Sequence, residues 1–318
     1  MKKIISAVLI SAMAALLPAF AFRTDKAIEE IERLRQTGQY TKAIEQLDSY
    51  LLRRLSKRSA RAAYWTMGDC YKKLGRMDKA LGVYQLAIKL HPKDRALLLA
   101  YGQLLVDAGL FNRAKSLFER VLRRRPDDVE ANLGLGRVYD GLGLSGKAAG
   151  CYQIAVSRGK VSASVYRRLS RALAGDNQYA AAEQAALKAV EISPEADGWR
   201  DLAVFQQRQG RWKDASLSLG RAIALEPERK DLLLRRALWL QKTGKTEESA
   251  AAAREILKNH PRNPLASWIL ALTDFKKGDA AASLENLESA ASQKDAPYLA
   301  RYAGSMKQWI AENSGRLP

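Results

Sequence analysis

The sequence predicts an all-α chain: a solenoid of about eight helix-turn-helix repeats closed by a C-terminal capping helix. Three observations predict it. A turn glycine recurs at Gly75, Gly109, Gly143, Gly210, Gly244 and Gly278, with Asn177 in the open slot, so the steps are 34, 34, 34, 33, 34 and 34 residues. Pro92, Pro126, Pro194, Pro227 and Pro261 keep the same beat. The composition, 47% hydrophobic and 27% charged with 9 prolines in 318 residues, is that of a folded chain that favours helices. Self-similarity at a fixed period of this length is the mark of a repeat array.

The first 21 residues read as a leader. Lys2 and Lys3 supply a positive end, residues 4–17 are apolar without a charge, and Ala19-Phe20-Ala21 offers small residues at a cleavage site. The apolar run is too short to span a bilayer comfortably. Cleavage after Ala21 is expected, which would make the chain an exported, periplasmic bacterial protein. Retention as an N-terminal anchor is the alternative, with membrane association through a partner as a further route. The solenoid then occupies 22–295, with repeats near 24–60, 61–94, 95–128, 129–162, 163–195, 196–229, 230–263 and 264–295. The stretch around Gly38 is the first copy, followed by a few extra residues. The seventh and eighth copies are degenerate: Ser249 and Ser283 stand at the small position, and Ala253 and Leu287 at the aromatic one. Residues 296–318 give a capping helix, Ala296 to Asn313, and a tail. Asp295 is its expected N-cap, and Tyr298, Tyr302, Met306, Trp309 and Ile310 its apolar stripe.

Each repeated position has a physical reason. In the second copy Gly68 and Ala80 are small, so the two helices of a hairpin can approach, and Tyr71 and Tyr84 fill the space between them. Gly75 permits a left-handed turn. Pro92 cannot continue the second helix. Helices of this length are marginal alone in water, so neighbouring repeats must share their apolar faces. Tyr64, Met67, Gly68, Tyr71, Ala80, Tyr84, Ala87 and Pro92 together resemble the tetratricopeptide repeat (TPR) family. That resemblance implies a right-handed α-α superhelix whose concave groove is lined by the first helix of each repeat.

Motifs for chemistry fail on inspection. Gly141-Leu-Gly-Leu-Ser-Gly146-Lys147 has the spacing of a phosphate-binding loop, but Ala148 replaces the hydroxyl residue and the run lies between helices. His91 and His260 occupy the same repeat position far apart and form no couple. Cys70 and Cys151 lie in repeats two and four, too far apart for a disulfide within one chain, and read as apolar filler; pairing between chains is the alternative. No enzyme, cofactor or metal is expected.

Charge remains. The net charge is +19. Residues 22–175 hold 30 Lys and Arg against 15 Asp and Glu, whereas 176–318 hold 21 against 19. The basic clusters are 53–61, 72–76, 123–126 and 167–171. Arg123 to Arg125 end a second helix, where cations also suit the helix dipole. By the register that the resemblance implies, Trp65, Lys72, Lys73, Arg137, Arg167, Arg171 and Arg200 line the groove, with Arg168 beside them. Arginine suits bidentate carboxylate contacts, and Trp65 is a candidate anchor. The Lys and Asn pattern by which repeats of this type grip chaperone C-termini is absent. The expected function is therefore a non-enzymatic protein-interaction scaffold of the cell envelope, whose basic groove holds a protein or peptide segment, an acidic one included. The alternative is a peripheral binder of an anionic polymer or surface: exopolysaccharide, lipopolysaccharide or anionic lipid. Nucleic acid is not expected.

Overall fold

A computed structural model describes residues 26–51, 57–159, 161–292 and 297–313. The leader and Asp295 lie outside the described residues. Among the described residues the chain is helical and holds no strand. It divides into two compact units, 1–143 and 144–318.

The first unit contains α1 (Lys26–Gln36), α2 (Tyr40–Leu51), α3 (Lys57–Lys73), α4 (Met77–Leu90), α5 (Arg95–Asp107), α6 (Phe111–Leu122) and α7 (Val129–Gly141). The second contains α8 (Ser145–Arg158), α9 (Ala163–Gly175), α10 (Tyr179–Ile192), α11 (Ala196–Arg208), α12 (Trp212–Leu225), α13 (Lys230–Lys242), α14 (Thr246–Asn259), α15 (Pro264–Lys276), α16 (Ala280–Ala291) and α17 (Pro297–Asn313). Odd-numbered helices up to α15 are the first helices of their repeats. Within each unit sequential helices pack on each other, and first helices also touch the next first helix: α1 on α3, α3 on α5, α5 on α7, and likewise α9 on α11 and α13 on α15. Second helices make no comparable contact with one another. The first helices are therefore the closely spaced side of each stack.

The turns repeat atom for atom. Gly75 has φ +71°, and the next amide, Arg76 N, donates to the Tyr71 carbonyl at 2.9 Å, six residues closing the helix end. The same bond runs from Leu110 to Leu105, Gln178 to Leu173, Arg211 to Gln206, Lys245 to Leu240 and Asp279 to Asp274. Asn177, at φ +60°, is the non-glycine residue that takes this conformation, as Asn tolerates. Gly143, inside the phosphate-loop lookalike, is another of these interhelix turn residues at φ +70°.

Hairpin spacing is set by a ring against a missing side chain. A Cβ on Gly68 would fall 2.5 Å from the Tyr84 ring. Phe118 does this twice: a Cβ on Gly102, in its own hairpin, would lie 2.8 Å from its ring, and one on Gly134, in the next repeat, 2.3 Å. The degenerate repeats solve the same problem differently. Ser249 Oγ donates to the Ala237 carbonyl and Ser283 Oγ to the Ala271 carbonyl, each at 2.7 Å, so the buried hydroxyls are satisfied across the hairpin.

Of the expected stripe of the capping helix, Tyr302 is 63% exposed, whereas the neighbouring Ala303 is buried against Ala271 and Leu287. Trp309 sits at the margin, edge-on to Phe275 with centroids 5.4 Å apart. Tyr298, Met306 and Ile310 have side chains outside the described residues.

Two expectations follow. Gly134→Ala should lower stability by about 1–3 kcal/mol in thermal unfolding, because Phe118 must shift in a filled core, and Phe118→Leu should partly restore it; wild-type stability in Gly134→Ala would refute the spacing role. Cys70 and Cys151 are buried, and burial pushes both thiols up to about 11. At about pH 8 only about one molecule in a thousand carries the thiolate at either site, so a maleimide should label the native chain slowly and the denatured chain at once.

Candidate functional site

The expected groove residues all lie on first helices, and most are already engaged. In the first unit Arg35 of α1 donates to Asp69 of α3 at 2.9 Å, and its guanidinium stands 5.6 Å from the centre of the Trp65 ring. Lys72 of α3 and Arg137 of α7 converge on Asp107 of α5, at 2.7 and 3.1 Å, and Gln103 adds a third donor at 2.7 Å. Lys73 points to solvent and makes no ion pair among the described residues. At the helix starts, Arg61 pairs with Asp94 at 2.9 Å, and Arg95 pairs with Asp128 and Glu130. Both aspartates are N-caps as well, accepting from Leu97 N and Ala131 N at 3.0 Å. One carboxylate thus closes a helix and fixes the preceding repeat.

The second unit has the denser set. Arg167 of α9 reaches Glu195 at 2.7 Å and Asp197 at 3.8 Å. Arg171 of α9 donates to Asp201 of α11 at 2.6 Å. Arg200 of α11 contacts Asp197 at 3.0 Å, Asp201 at 3.1 Å and Asp231 of α13 at 3.5 Å. Arg229, just before α13, adds a contact to Asp197 at 2.7 Å. Arg168 is exposed beside this network. The structure therefore gathers Arg167, Arg171 and Arg200 into one network, while Arg137 joins Lys72 in the first unit's cluster. Trp199 is packing, with the Arg221 guanidinium 4.6 Å above its ring.

The sequence reading named the cations and missed their partners. Asp107, Glu195, Asp197, Asp201 and Asp231 each lie 28 to 35 residues from a basic residue that they bind. Once the period is known, a carboxylate one repeat away is the signal. Missed too were Arg235 and Gln241 on α13: Arg235 Nε and both polar side-chain atoms of Gln241 are buried without a hydrogen-bond partner among the described residues.

The pairs shape the titration. Burial opposes ionisation of Asp107, but the hydrogen bond from Lys72, the attraction of that ammonium and the bonds from Arg137 and Gln103 outweigh it and hold the carboxyl below its usual range. Asp197 is held down in the same way, burial being overcome by Arg229, Arg200 and Arg167. The face can recognise by hydrogen bond and charge. No group of three or more His, Cys, Asp or Glu among the described residues is arranged to hold a metal. No helix among them is long and apolar enough to cross a membrane.

Helical hairpins stacked at a fixed period, with functional candidates on their first helices, define an α-solenoid of the recognition type. The tetratricopeptide repeat profile matches residues 99–149, 135–197 and 234–305, and a second profile of the same description matches 61–104. The chain belongs to the tetratricopeptide repeat family, whose repeats generally serve as protein-interaction scaffolds and are generally non-enzymatic. Among curated relatives, the BBSome complex member BBS4 of Bos taurus is 23% identical over 79% of this chain and 48% of its own length. The protein O-mannosyl-transferase TMTC1 of Homo sapiens is 25% identical over 52% of this chain and 19% of its own. The chain thus spans about half of the first and about a fifth of the second. Among solved structures, the C-terminal part of a TPR repeat-containing protein from Cytophaga hutchinsonii has a TM-score of 0.63 at 18% identity, covering 75% of this chain and 97% of that one. MamA from Desulfovibrio magneticus RS-1 has a TM-score of 0.50 at 24% identity, covering 53% and 96%. These likenesses show the fold.

A lowered carboxyl pKa stabilises the fold above the ordinary aspartate value, about 3.9, and that contribution is lost as pH falls through the lowered folded value. Thermal stability should therefore hold from neutral pH down to about 5 and drop below about 4, and Asp107→Asn should be less stable at neutral pH with a shallower acid loss. An unchanged acid profile in Asp107→Asn would show that the Lys72 and Arg137 contacts carry no linkage.

Proposed function

We propose that the chain is a non-enzymatic scaffold of the bacterial cell envelope, exported by its leader to the periplasm, that holds a segment of a partner protein along the first-helix face. The observation that carries this reading is the polar register of that face. Within each unit carboxylates and guanidiniums alternate along the first helices, beside Trp65 in the first unit and beside the unsatisfied Arg235 and Gln241 in the second. Buried polar atoms without partners favour a ligand that brings hydrogen bonds of its own. A peptide offers both backbone groups and side-chain charge. The alternation favours a segment of mixed charge with acidic positions over a uniformly acidic one, because Lys72, Arg137, Arg167, Arg171 and Arg200 each have a carboxylate neighbour.

Affinity capture from envelope extract should retain a discrete protein at about 0.15 M and about 0.5 M salt, since at the higher salt diffuse attraction fades first. The Arg137→Ala, Arg167→Ala, Arg171→Ala triple variant, checked for folding by circular dichroism, should lose that protein. A polysaccharide or lipid released at high salt from both proteins alike would overturn the scaffold reading.

A further inference from the structure

A basic cluster of the first unit lies off the first helices, in the α4–α5 loop and at the end of α6. Between the α4–α5 loop, the start of α5 and the end of α6 lies a cavity of about 430 Å³, lined by Pro92, Lys93, Arg95, Leu98, Arg120, Val121 and Arg123 to Arg125. Its floor is apolar: Leu98 and Val121 are buried. Arg120 Nη2 donates to the Pro92 carbonyl at 2.6 Å and ties the end of α6 to the loop. Arg95 is taken by Asp128 and Glu130. Lys93, Arg123, Arg124 and Arg125 are exposed, and none makes a side-chain hydrogen bond or ion pair among the described residues. Of the two acids that follow, Asp127 is exposed and is itself engaged, and Asp128 feels the charge of Arg125 but already serves Arg95 and the N-cap of α7.

By contrast, Lys72, Arg137 and Arg171 on first helices meet carboxylates about 30 to 35 residues away. Three consecutive arginines repel one another. The end of the α6 dipole offsets only about half a charge, so the helix end does not account for the cluster. A ligand with several negative charges does. A carboxylate brings one charge, whereas a phosphoryl group brings about 1.5 to 2 with three acceptor oxygens, in a geometry that the guanidinium fork matches. The volume is within the ordinary range for small-ligand sites, about 300–1,000 Å³.

We propose that this cavity binds a compact anion bearing two or more phosphoryl groups, with Arg124 and Arg125 as its principal forks and Lys93 closing the opposite rim. Its proposed ligands Lys93, Arg124 and Arg125 lie off the first helices, and the site does not depend on the function proposed for the first-helix face.

The test is calorimetric titration of the full chain with inorganic tripolyphosphate at about 0.15 M salt. Saturable binding is expected, weakened at least about tenfold in Arg124→Gln/Arg125→Gln and less in Arg124→Lys/Arg125→Lys, which keeps the charge and loses the fork. A control that removes two exposed cations elsewhere, Lys213→Gln/Arg254→Gln, should stay within about twofold. All of these are surface changes, and circular dichroism confirms folding. Vesicles carrying phosphorylated inositol headgroups form a second arm. Binding that tripolyphosphate displaces would give the anion a lipid source, and failure of the vesicles to bind would leave a soluble phosphate. No saturable binding by the wild type, an unmoved affinity in the double Gln variant, or an equal loss in the control would overturn the site.

Discussion

The packing of one aromatic ring against residues that lack a side chain governs the rest of the fold. Phe118 lies against Gly102 in its own hairpin and Gly134 in the next repeat. One ring therefore sets two distances, the spacing within a hairpin and the step to its neighbour. Both are fixed to a fraction of an ångström, because interiors are close-packed and a methyl group has nowhere to go. Tyr84 on Gly68 sets the hairpin spacing one repeat earlier. With the step fixed, side chains about 30 to 35 residues apart are brought within hydrogen-bonding reach, and ion pairs such as Arg61 with Asp94 or Arg171 with Asp201 become possible.

Those pairs are not what holds the array together. Most are partly exposed, and exposed pairs contribute about 0–1 kcal/mol each. Stability comes from the apolar faces that neighbouring repeats share, as in the cluster of Ile31, Leu34, Leu47, Tyr50 and Met67. The pairs contribute register. A first helix displaced by one residue would leave Asp94 or Asp128 unable both to cap its helix and to receive the arginine of the preceding repeat.

The sequence is unusually open about the architecture, since Gly75 and its successors mark every turn and the prolines mark most boundaries. Even Ser249 and Ser283, which break the residue pattern, keep the period and the hairpin. The capping helix was less legible. An amphipathic pattern identifies a helix without saying which of two neighbouring stripes will seat, and here Ala303 is buried while Tyr302 is exposed. The face was half legible for a similar reason. The positions of Arg167, Arg171 and Arg200 follow from the repeat, but their neutralisation by Glu195, Asp197, Asp201 and Asp231 depends on distances across repeats. Net charge is a sum, and a sum hides pairing.

Pairing also decides which cations a partner can take. Arg95 meets Asp128, whose side chain is only 4% exposed. Drawing Arg95 away would strip a buried carboxylate of its ion-pair partner, a costly change. Asp107 and Asp197 are different. Lys72 and Arg137 share the first, and Arg167, Arg200 and Arg229 share the second. Where two or three cations surround one carboxylate, a partner's carboxylate can capture one of them while the others keep the aspartate satisfied. The exchange strands no charge and leaves the repeat-to-repeat contact in place. On this argument the shared sites, not the tightest pairs, are where the face can change hands with a partner without loosening the stack.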